Sequence, residues 1–156
     1  MDDLTIARAI HVLSIVHWIG GMSFVTLVVL PLARRWVVAG QRLTLFEAAE
    51  RRFSTQVRLS VPLAGASGLY MMARLDAWHL LVQPSQWWLG AMALLWLVFM
   101  AILFVIEPAI GSKLLKAGYS DPDRTLWRVE RVHWFLLAVS AVVAGAAVLG
   151  AHGGLG

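Results

Sequence analysis

Apolar residues in this chain come in long blocks instead of alternating or forming narrow stripes. Four blocks stand out, at 9–33, 56–73, 87–106 and 132–151, separated by stretches rich in arginine, lysine and acidic residues. About 20 consecutive apolar residues are needed to cross the hydrocarbon core as a helix. All four blocks qualify, the second least securely because Arg58 lies inside it and Arg74 just beyond. Inside a membrane every backbone N–H and C=O must be paired within the segment, so the blocks predict helices and not open strands. The expected architecture is an all-α, polytopic membrane protein: a single domain over 1–156, folded as a four-transmembrane-helix bundle.

Composition supports that reading. Of 156 residues, 60% are hydrophobic and 14% charged, against about 45–50% and about 25% in a soluble domain. The net charge of +4 points to basic cytoplasmic loops rather than to nucleic acid. Arg34, Arg35, Arg42, Arg51 and Arg52 follow the first block, and Lys113, Lys116, Arg124 and Arg128 follow the third. The segment after the second block carries only Arg74, and the N-terminal tail only Arg8. By the positive-inside rule the expected orientation is N-out/C-out, in a bacterial inner membrane. Trp36, Trp127 and Trp134 then fall near the inner face, and Trp78, Trp87 and Trp88 near the outer one, the depths aromatic belts occupy. The opening Met1-Asp2-Asp3 lacks the basic start of a cleavable signal peptide, so the first block is expected to be retained.

The sequence contains no cysteine. Disulfides, thiolate-held clusters and covalent c-type haem attachment are therefore ruled out, and a cofactor would rely on His, Met, carboxylate or backbone groups. Phosphate-binding loops, nucleophile elbows and zinc-protease patterns are also missing, which leaves redox chemistry as the expected form of any catalysis.

Candidate chemistry starts in the first block, where His11 and His17 interrupt an apolar run. Ionisable groups in a membrane span are costly and mark function by default, though a histidine there can also serve only to bond a neighbouring helix. Six positions place the two side chains about 120° apart and about 9 Å apart in depth, so they cannot clamp one haem between them. Counting from span midpoints, His11 lies roughly 12–15 Å and His17 roughly 3–6 Å toward the outer face, with Met71 and Met92 roughly 7–9 Å out. An outer-leaflet set of His11, His17, Met71, Met72 and Met92 is expected, with His79 or His152 near its rim. Met92 can equally be a packing residue. His133 lies at the inner end of the fourth block, where Arg58 and Glu107 are its expected neighbours in an inner-face polar cluster. Gly20, Gly21, Gly65, Gly68 and Gly145 suit close helix packing, and Pro62 is expected to bend the second helix.

Ala9-Ile10-His11, Trp18 seven residues on, and Gly20-Gly21 resemble the first span of the copper-resistance protein D (CopD) superfamily, which includes HemJ-type protoporphyrinogen oxidases. Arg51-Arg52-Phe53-Ser54 with Ser67-Gly68-Leu69-Tyr70 resembles that superfamily's next span, and Trp87 to Met92 the start of the following one. The likeness runs from about residue 9 to 108. It implies that His11 is the haem b ligand, with Met92 standing where HemJ-type proteins carry a lysine. His–Met ligation of haem is chemically sound. CopD-type proteins are associated instead with copper movement, and His11, Met71, Met72 and Met92 would suit Cu(I). Three expectations follow: a haem b redox or electron-transfer protein with quinone or another membrane redox subunit as partner, a copper transporter, or an accessory subunit of a larger complex. A homo-oligomer is compatible with each.

Overall fold

The computed structural model describes residues 2–111 and 120–154 and is 92% helical, without strands among those residues. Lys113 and Lys116, which support the expected orientation, lie outside the described residues.

The first rod starts at α1 (Asp3–Phe24), capped by the Asp2 side chain, which accepts from the Leu4 N–H. It passes through a π-helical turn, Val25–Val29, into α2 (Leu30–Trp36). Pro31 accounts for that turn. It has no N–H, and its ring crowds the carbonyl four residues back. The backbone widens just before it, so that the Leu30 N–H donates five residues back to Val25, and the Thr26 hydroxyl bonds the Met22 carbonyl at 2.7 Å. Pro108 lies in a second π-helical segment, Ile102–Gly111, which continues α4 (Trp87–Ala101).

A two-residue link at 37–38 turns the chain into α3 (Ala39–Arg74). Its 36 residues extend about 54 Å, nearly twice the hydrocarbon core. Arg42, Arg51 and Arg52 therefore lie on a helix, not in a loop. That polar half is amphipathic, with Leu43 and Phe46 buried and the arginines turned outward or toward partners. Two short 3₁₀ turns, Trp78–Val82 and Pro84–Gln86, lead to α4. The last rod is α5 (Pro122–Ala151), whose N-cap Asp121 accepts from the Arg124 N–H.

Among the described residues, three rods are long and apolar enough to cross a membrane: Asp3–Trp36, Pro84–Ala109 and Pro122–Ala151. The fourth, α3, is longer but more polar and is not among them. All four rods overrun the apolar blocks that predict them. Apolarity ends where the hydrocarbon ends, whereas backbone hydrogen bonding continues through the polar margin. Large apolar side chains such as Leu13, Val16, Leu94, Phe135 and Val142 point outward, as a lipid-facing surface requires.

The rods are antiparallel neighbours in sequence. Asp3 meets Tyr70 and Arg74, His11 meets Ala64, and His17 meets Ser60 along the α1–α3 pair. The core joins Trp18 and Met22 of α1, Val57 and Val61 of α3, and Phe99 and Leu103 of the α4 rod. Trp18 and Phe99 make an edge-to-face contact with centroids 4.6 Å apart. A second cluster toward the other end holds Val25, Leu30, Leu43, Phe46 and Leu126. Indoles fill the clefts between rods where glycine leaves room. A Cβ at Gly65 would run into Trp96, and one at Gly150 into Trp88. Trp96 also donates to the Val61 carbonyl at 2.9 Å, next to Pro62.

Gly65→Val should therefore destabilise the protein by about 1–3 kcal/mol through overpacking, read as a lower thermal midpoint in detergent. Gly145 faces open space, so Gly145→Ala should change the midpoint little or raise it.

Candidate functional site: a histidine seam and an inner-face ion network

Polar side chains on α3 pair with groups from the other rods at successive levels. Ser54, Ser60 and Ser67 are all buried. Two of them meet the α1 histidines, and the third meets Glu107.

Nearer the N-terminus of α1, His11 is half-buried and rests over Gly68, where an added Cβ would come within 3.2 Å of its Cε1. Its Nδ1–H donates to the Ala64 carbonyl at 2.7 Å. Ser67 Oγ lies 3.3 Å from the same nitrogen and gives its own hydrogen to Leu63 O at 2.6 Å. A proton fixed on Nδ1 leaves the Nε2 lone pair available. This is the tautomer found in metal-bound histidines, whose other nitrogen donates to a carbonyl or carboxylate.

His17 is engaged differently. Its Nε2 lies 3.4 Å from Gln56 Oε1, which can only accept, and its Nδ1 lies 3.1 Å from the Ser60 hydroxyl. Both ring nitrogens are bonded to α3, Nε2 as donor and Nδ1 as acceptor. The two histidines thus attach to α3 at separate levels, Ala64–Ser67 and Gln56–Ser60, in keeping with the depth difference expected from their spacing. A groove of about 520 Å³ opens beside His17, lined by Gly21, Phe24, Arg52, Phe53 and Gln56 among others.

Met71 and Met72 are half-buried near the C-terminal end of α3. Met92 is half-buried on α4, one turn from both Trp88 and Trp96 and so on the side of α4 that these indoles turn toward α5 and α3. Among the described residues, no three or more His, Asp or Glu side chains form a metal-holding group. His79 and His152 are exposed. Asp3 accepts from the Tyr70 hydroxyl at 2.8 Å and pairs with Arg74 at 2.9 Å, tying the start of α1 to the end of α3.

The inner-face cluster separates into two pairs. Glu107 accepts from the Ser54 hydroxyl at 2.8 and 2.7 Å and lies 3.4 Å from Arg58, so Arg58 and Glu107 are partners as the sequence suggests. His133 does not join them. Its Nε2 is 3.6 Å from Glu50 Oε2, an ion-pair distance longer than a hydrogen bond, and its Nδ1–H donates to the Val129 carbonyl at 3.0 Å. Phe46 packs edge-on against its ring. The expectation failed because apolar blocks show depth but not azimuth. Glu50 and Arg58 differ by about 80° around α3, so they face different neighbours. Arg34–Glu130 at 2.7 Å and Arg42–Asp123 at 3.3 Å tie the same end of α2 and α3 to α5.

Gln56, Ser60 and Glu50 escaped the sequence reading, and Ser54 and Ser67 entered it only through the family likeness, with no bonding role. A usable signal was present: three serines at six- and seven-residue intervals in an apolar helix need partners, because an unpaired hydroxyl in hydrocarbon is costly. Comparison with family models, with curated proteins and with solved structures found no match for this chain.

Glu107→Leu removes the acceptor of both Ser54 and Arg58 and should cost about 1–3 kcal/mol. Glu107→Gln keeps an acceptor for Ser54 and should lose less. Thermal midpoints of the two variants in the same detergent measure the difference.

Proposed function

We propose that the protein is a four-span inner-membrane haem b protein, oriented N-out/C-out, that carries electrons through a centre held by His11. The observation that supports this most directly is the His11 Nδ1–H bond to the Ala64 carbonyl at 2.7 Å, which leaves Nε2 free to bind iron. Gly68 beneath the ring gives the imidazole room. The likeness of Ala9 to Gly21 to CopD-type and HemJ-type spans agrees with this assignment. Met92 is the thioether that could supply a second axial ligand, a pairing that raises the potential of a b-type haem. Haem would contribute the one-electron chemistry. The chain's own part is to fix the imidazole tautomer through Ala64 and Ser67 and to keep the centre within apolar helices. The same reading makes α3 the fourth span. Its apolar half is crossed by serines and an Arg58–Glu107 pair, and these are satisfied by neighbouring helices.

Purified protein should show a Soret band that shifts and sharpens on dithionite reduction, spontaneously or after haem reconstitution. His11→Ala should remove most of that band, whereas His17→Ala should retain it. Met92→Ala should keep haem but lower its midpoint potential. Absence of a Soret band after reconstitution would overturn the proposal.

A further inference from the structure

The groove beside His17 presents a problem that the bundle does not solve internally. His17, Gln56 and Arg52 are all exposed on the outer flank of the α1–α3 pair. Gln56 uses its carbonyl oxygen toward His17, and its amide N–H groups have no partner among the described residues. Arg52 likewise has no ion pair among them. Gln56 stands at the first position of the apolar block 56–73 and Arg52 one turn before it, at the polar margin; acyl chains beside Gln56 offer no acceptor to its amide donors.

The groove also has a built floor. Phe53 lies between Arg52 and Gln56 in sequence and packs against Gly21, where a Cβ would collide with its ring. Glycine at this position lets an aromatic face line the groove. Val16, Phe24, Val25 and Val29 complete apolar walls. Arg52 and Gln56 are four residues apart on α3, one helical turn or about 6 Å along its axis, so two sets of donors stand at the two ends of an aromatic platform.

We propose that this groove binds the headgroup of a membrane quinone. A quinone is flat and apolar, reaches the site laterally through the bilayer, and carries a carbonyl acceptor at each end of its ring. Gln56, backed by His17 and Ser60, faces one carbonyl, and Arg52 faces the other. A phospholipid fits less well: its phosphate would stay with Arg52 and leave the Gln56 amide against acyl chains. The assignment rests on the redox reading above and gives that centre a route for electrons to or from the lipid phase.

Photoaffinity labelling of the full-length protein in lipid nanodiscs, with a short-tailed azido-benzoquinone, tests this site. Labelling is expected to saturate, to map to residues 16–29 and 49–56, and to be displaced by unlabelled short-tailed quinone. Arg52→Leu and Gln56→Leu should each weaken labelling roughly tenfold, the loss of one good hydrogen bond, while circular dichroism stays unchanged. Unsaturable labelling spread over lipid-facing helices would overturn the proposal. So would displacement by phosphatidylglycerol but not by quinone. His11→Ala separates the two readings. Saturable labelling in a protein that never shows a Soret band rejects the haem centre and keeps the quinone site, and a Soret band without saturable labelling does the reverse.

Discussion

The fold depends on one constraint, that the polar groups of α3 must find partners on other helices. Apolar surface does not drive helices together in lipid, because tails solvate leucine as well as another helix does. Buried hydroxyls, amides and carboxylates do discriminate, since each is costly when left unpaired. Here Ser54, Ser60 and Ser67 are buried on α3, and Glu107, His17 and His11 come to meet them. Packing of Trp96 into the space at Gly65 and of Phe53 into that at Gly21 then sets how closely the rods approach.

α3 divides these partners between two faces. Gln56, Ser60, Ala64 and Ser67 fall within about 80° of one another on its surface and turn toward α1. Ser54 and Arg58 lie on another side and turn toward the α4 rod, while Glu50 reaches α5. The histidine seam and the ion network are therefore separate devices that share a backbone. The network also ties α2 and the start of α3 to the start of α5 through Arg34–Glu130 and Arg42–Asp123. The seam holds both imidazoles against α3, His17 through both ring nitrogens and His11 through Nδ1 alone among the described residues.

Much of this was legible in the residues. Block length and composition made the chain helical and membrane-like, since nothing else hides so much apolar surface without strands. Spacing alone showed that His11 and His17 act separately, because helical rise and rotation follow from position. Arg58 and Glu107 could be matched by depth and opposite charge. His133 could not, as Glu50 lay in a stretch that reads as a polar loop until its helical period is tied to Leu43 and Phe46. The π-helical turns were also hidden, although Pro31 and Pro108 were in plain view. A proline shows where a helix must yield but not how the backbone will do so.

The sequence by itself determined the helical, apolar class of the protein and the axial separation of its two histidines. These follow from local geometry and from the energetic cost of polarity in lipid. Only the tertiary structure decided azimuth: which helix each polar group faces, which imidazole nitrogen stays free, and which donors are left on the open flank. Those outcomes depend on how four rods rotate about their axes. Contacts between residues 35 to 96 positions apart set that rotation, and no local pattern encodes it.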